Sequence, residues 1–113
     1  MGLGPTILAT GNVQSTFILS VSLTPVSVAA NSTVEQSYTI NGLSLANDQV
    51  SDVSYTGGAW SVNVSIANYR ISANNTLTVS YTNPTGSGVT PPSGTYYVEI
   101  NRLYPGLTMS TIQ

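Results

Sequence analysis

The chain has 113 residues with no Cys, no His and no Lys, and only 5% of them are charged, against about 25% in an average soluble domain. Glu35, Asp48, Asp52, Arg70, Glu99 and Arg102 are the whole charged inventory, for a net charge of −2. This composition excludes disulfide frameworks and thiolate metal sites, leaves the serines without a His, Cys or Lys to activate them, and supplies too few cations to track phosphates or an anionic bilayer.

The expectation is therefore a protein that is not an enzyme, needs no cofactor, and engages no nucleic acid and no membrane. Its length fits one domain, long enough to bury roughly two-thirds of its unfolded surface without staples. Solubility has to come from Ser, Thr and Asn, which make up roughly a third of the chain. The opening Met1-Gly2-Leu3-Gly4-Pro5 lacks the basic start of a signal peptide. The apolar run Phe17-Ile18-Leu19 is far short of the roughly 20 residues a membrane-spanning helix needs.

In chain order, residues 1–14 carry Leu3, Pro5, Ile7 and Leu8 among glycines, without a strand repeat. From residue 15 the apolar period is two, which denotes strands with one face buried. Strands are predicted over 15–23, 26–30, 34–40, 50–56, 60–66, 69–72, 76–82 and 95–101. In the third, Val34, Gln36, Tyr38 and Ile40 alternate with Glu35, Ser37 and Thr39; in the fifth, Trp60, Val62, Val64 and Ile66 share a face. Turn chemistry separates the runs. Asn41-Gly42 ends one, Gly57-Gly58 precedes Trp60, and Asn74-Asn75 is spaced as a hairpin. Leu43 to Gln49 has room for one helical turn. Asn83 to Gly94, with Pro84, Gly86, Gly88, Pro91 and Pro92 between its ends, reads as a long polar loop. Short strands at this spacing predict an antiparallel β-sandwich of jelly-roll or Greek-key type over residues 15–102, flanked by an N-terminal arm, 1–14, and a C-terminal arm, 103–113.

The arms are apolar without being charged, unlike a typical disordered tail. They are either frayed ends or segments that lie on a partner. In the second case Leu3, Pro5, Ile7, Leu8, Leu103, Tyr104, Pro105, Leu107 and Met109 are the candidate protein interface. Fourteen extended residues reach about 45 Å. Among the aromatics, Trp60 and Tyr97 are candidates for exposure, as a stacking platform or interface anchor; the other reading of Trp60 is a core aromatic. Tyr96 and Tyr97 are adjacent in a strand and must point to opposite faces. Asp48 and Asp52 are expected as solvated acids, with Asn47 a weak oxygen-ligand set for Ca²⁺ at most. Glu35 and Glu99 are the candidate partners for Arg70 and Arg102.

Four segments carry a resemblance: Val28 to Leu43, Ile66 to Leu77, Val79 to Gly86, and Val89-Thr90-Pro91-Pro92-Ser93-Gly94-Thr95-Tyr96 with the strand that follows to Arg102. Together they make residues 25–102 look like a recurring small β-domain of tailed-bacteriophage virions. The resemblance implies a virion structural protein, most like a capsid cement (decoration) protein. Such a protein binds the outer capsid surface, has the major capsid protein and itself (a homotrimer) as partners, and has no active site. The alternatives are a phage tail, neck or fibre module, and a carbohydrate-binding or adhesin module.

Overall fold

The computed structural model describes residues 13–104. Six strands are present among them: β1 (Val13–Leu23), β2 (Ser32–Thr39), β3 (Asp48–Tyr55), β4 (Ser65–Ala73), β5 (Thr76–Asn83) and β6 (Gly94–Tyr104). They form two three-stranded sheets, ordered β1-β6-β3 and β2-β5-β4, with every pairing antiparallel. The alternation that identified the strands also buries them. Leu77, Val79 and Tyr81 of β5, and Tyr96, Val98 and Ile100 of β6, are fully buried. They join Val50, Val53 and Ile71 in one core cluster that draws on both sheets. The fold is all-β and sandwich-like, with the chain passing from one sheet to the other at every connection except the β4–β5 hairpin.

The predicted strands at 26–30 and 60–66 are the two that differ. Residues 24–31 cross between sheets and make a single bridge, Val28 to Val89. Residues 60–64 keep the predicted facing, with Val64 buried and Trp60 and Val62 packed against the core, but no strand lies beside them until β4 begins at Ser65. Alternation records which side is buried; a strand also requires a neighbour. Val13 and Gln14, and Leu103 and Tyr104, read from the sequence as arm residues, belong to β1 and β6 and pair with one another.

The turns follow the residues that tolerate positive φ. Asn75 (φ 62°) closes the β4–β5 hairpin and Gly42 (φ 99°) turns the chain out of β2. These two positions are joined: Asn75 Oδ1 accepts the Gly42 N–H at 2.8 Å, and the Asn75 N–H donates to Leu43 O at 2.9 Å. The helical turn expected near residues 43–49 consists of one bond, Asp48 N–H to Ser44 O at 2.9 Å.

The β5–β6 connection is organised by one buried side chain. Asn83 Nδ2 donates to Val28 O (2.9 Å) and Ser87 O (2.8 Å), while Oδ1 accepts the Thr85 N–H (2.9 Å) and hydroxyl (2.7 Å). All four of its hydrogen-bonding positions are used. At the far end of the connection the Tyr96 hydroxyl donates to Pro92 O at 2.6 Å, pinning the entry to β6.

Candidate interaction surface

One end of the molecule is built around Arg102. Its Nε and Nη2 donate to Asp48 Oδ1 and Oδ2, each at 2.7 Å, and Nη2 also donates to Gly42 O at 2.8 Å. Asp48 Oδ2 accepts the Ser44 N–H at 2.8 Å, and the guanidinium lies 5.1 Å from the centre of the Phe17 ring. The Asp48 side chain is wholly covered. Hydrogen bonds from Arg102 hold its carboxyl below the ordinary aspartate range, outweighing the opposing effect of burial. The pair ties the 40–47 connection to the end of β6, and the Leu103 N–H completes the tie by donating to Asn47 O at 2.9 Å. Two sequence expectations are corrected here: Asp48 is a buried structural acid rather than a solvated one, and the partner of Arg102 is Asp48, not Glu99. The bulge between Val50 and Asp52 sets Asp52 apart as an exposed residue that accepts a hydrogen bond from the Ser54 hydroxyl. Among the described residues no group of three or more acidic, His or Cys side chains comes together.

Outside this staple the same end exposes apolar groups: Leu103 (40%) and Tyr104 (41%) on β6, and Leu45 (54%) in the stapled connection. Val13 and Tyr104 are register partners, so the first and last described residues sit side by side at this point. Of the predicted interface residues, Leu103 and Tyr104 are thus on the surface together; Leu3, Pro5, Ile7, Leu8, Pro105, Leu107 and Met109 lie outside the described residues.

The outer face of β1-β6-β3 carries Ile18 (61% exposed) and Tyr97 (48%) among Thr16, Ser20, Glu99, Asn101 and Ser54. Tyr96 points into the core, as adjacency to Tyr97 demands. Trp60 is not an exposed platform: it is half-buried, its Nε1–H donates to Val64 O at 2.7 Å, and Tyr55 meets it edge-on at 6.2 Å. Its indole N–H needed a partner once covered, and the local carbonyl supplies it.

The outer face of β2-β5-β4 is a field of hydroxyls. Thr33 bonds Thr82 (2.9 Å), and Thr78 bonds both Ser37 (2.9 Å) and Ser72 (2.6 Å). Of the candidate pairings between the two arginines and Glu35 or Glu99, Arg70–Glu35 is present at 2.8 Å, both partners half-exposed.

The sequence reading missed a tyrosine relay inside the sandwich. Tyr38 donates to Gln36 Oε1 (3.1 Å), which leaves Tyr81 to donate to Tyr38 (2.8 Å); Gln36 in turn holds both the N–H and the C=O of Val26. Burial pushes the phenols of Tyr38, Tyr81 and Tyr96 upward, Tyr96 to about 12. The signal for the relay was Gln36 on an otherwise apolar face. Comparison with known proteins found no matching family model, no matching curated protein and no matching solved structure.

Proposed function

We propose that the protein is a non-enzymatic structural component of a phage virion, a cement protein that sits on the outer capsid surface and binds the major capsid protein. The observation that carries this reading is the adjacency of the first and last described residues, Val13 and Tyr104, beside exposed Leu45, Leu103 and Tyr104. Segments leaving from one place engage one partner surface together, and each raises the effective concentration of the other. A contact surface poor in charge suits a protein partner, because the cores of protein interfaces are depleted in charge.

The finer fold reading is a Greek-key sandwich rather than an eight-stranded jelly roll. The order β1-β6-β3 and β2-β5-β4 matches an immunoglobulin-type sandwich in which β1 takes the place of the last strand. The Tyr96 hydroxyl bonded back to Pro92 O corresponds to the tyrosine corner of that class.

Quantitative gel analysis of a particle that carries the protein tests the function. Hundreds of copies per particle support cement; a handful favours a tail, neck or fibre module; absence from every particle overturns both. Removing residues 1–12 and 105–113 should abolish capsid binding while the sandwich stays folded. Unchanged occupancy without them would sink the role of the ends.

A further inference from the structure

The four edge strands of this sandwich are not alike. The edge of β3 is interrupted by a bulge between Val50 and Asp52, and the Tyr69 hydroxyl from β4 donates to Ser51 O at 3.1 Å within it. The edge of β4 has two register shifts and carries Arg70. The edge of β2 carries Glu35, paired with that arginine. Bulges and charges of this kind are how proteins keep sheet edges from pairing with other chains.

β1 has none of these devices. Its 11 residues, VQSTFILSVSL, include no charge, no proline and no glycine, and its register with β6 is unbroken from Val13 to Leu23. Among the described residues it is an edge strand, with β6 on one side only. In an antiparallel ladder about half of its residues point both N–H and C=O away from that partner. Among the described residues no hydrogen bond reaches those outward groups.

Side chains on both faces of β1 are also incompletely covered. Phe17, Leu19 and Val21 face the core but are only half-buried, and Ile18 on the opposite face is 61% exposed. β1 therefore leaves unfinished both a hydrogen-bond ladder and an apolar rim.

We propose that β1 is an interface, and that its occupant is β1 of a second copy of this chain, running antiparallel about a two-fold axis at Ile18. Ile18 is the midpoint of Val13–Leu23, so this register leaves no overhang. It sets Ile18 against Ile18, Phe17 against Leu19, and Thr16 against Ser20, matching apolar with apolar and hydroxyl with hydroxyl at the centre of the strand, with Ser15 against Val21 the one mixed pair next to them. A neutral strand meets its own copy without the like-charge repulsion that opposes most self-pairing. The product is a continuous six-stranded sheet, β3-β6-β1 followed by β1-β6-β3 of the second copy. The contact is two-fold, so it makes a dimer, or pairs of copies within a larger assembly, and not the three-fold ring that the virion resemblance implies. It stands independently of the capsid reading.

Sedimentation of the full chain, with amide hydrogen exchange, tests it. The expected species is a concentration-dependent dimer of about twice the 11.8 kDa chain mass, with the outward amides of β1 protected. T16K/S20K and T16E/S20E each bring like charges face to face across the axis, at exposed positions, and should each shift the dissociation constant upward at least about tenfold. An equimolar mixture of the two should recover the dimer. A wild-type monomer at millimolar concentration, a trimer, or a dimer insensitive to both variants overturns the proposal. So does a monomer with the β1 amides protected, which would mean that the chain's own ends cover the edge.

Discussion

At the residue scale, two of the six charges, Arg102 and Asp48, make one partly buried pair. Arg102 is committed to Asp48, to Gly42 O and to the face of Phe17, and breaking a buried pair by removing one partner leaves the other uncompensated. Because the Arg102 side chain retains 29% exposure, D48A should cost about 3 kcal/mol, the low end for such pairs, measured by urea unfolding at pH 7. The acid side follows from the same contact. Asp48 is depressed below its ordinary value of 3.8, so its contribution is present above that pH and is lost as pH falls through the lower folded value. D48N should flatten the loss of stability below about pH 4. The tyrosines act at the other extreme. Tyr38, Tyr81 and Tyr96 are raised above 10 by burial; their neutral forms contribute fully below pH 10, and that contribution is lost as pH rises through the folded values, about 12 for Tyr96. An alkaline melt followed by circular dichroism should show stability falling from about pH 10 upward, and Y38F should weaken that dependence.

At the scale of the element, β5 and β6 hold the two sheets together because each is central and has a partner on both sides. Their buried rows were legible in the sequence: Leu77, Val79 and Tyr81, then Tyr96, Val98 and Ile100, alternate without interruption. The element that resisted reading is the β5–β6 connection. Pro, Gly and Ser marked it as a loop, but nothing in that composition marked Asn83 as its organiser. Asn83 is buried and makes four hydrogen bonds, so N83A would remove all four: the Thr85 N–H loses its partner, while Val28 O keeps the Val89 N–H and Ser87 O keeps the Thr85 hydroxyl. Each intramolecular hydrogen bond lost costs about 0.5–1.5 kcal/mol net. N83A should lose about 3 kcal/mol in total, with exchange protection lost first at Val28 and Val89, whose bridge (2.8 and 3.1 Å) adjoins the asparagine.

At the scale of the whole molecule, the first and last strands are neighbours. β1 pairs with β6 along its full length, and among the described residues β3 has no other sheet partner than β6. The first sheet therefore cannot assemble until the last strand has been made. A chain of residues 13–93 should remain unfolded, with poor amide dispersion by NMR, whereas residues 13–104 should fold cooperatively. Folding of the complete chain should fall in the millisecond-to-second range of all-β domains dominated by distant pairings.

What the sequence determined by itself was local. Period-two alternation selected strands over helices, and Asn or Gly placed the turns at Gly42 and Asn75. Those follow from backbone sterics and side-chain solvation, which act within a few residues. Only the tertiary structure decided which runs found partners, so that residues 60–64 face the core without forming a strand. It decided that Arg102 meets Asp48, 54 positions away, instead of Glu99, which lies on the other face of the same strand. Among the described residues it also left β1 as the one edge with neither bulge nor charge. Such outcomes depend on which strands become neighbours, and neighbourhood between distant segments is a property of the assembled sheets.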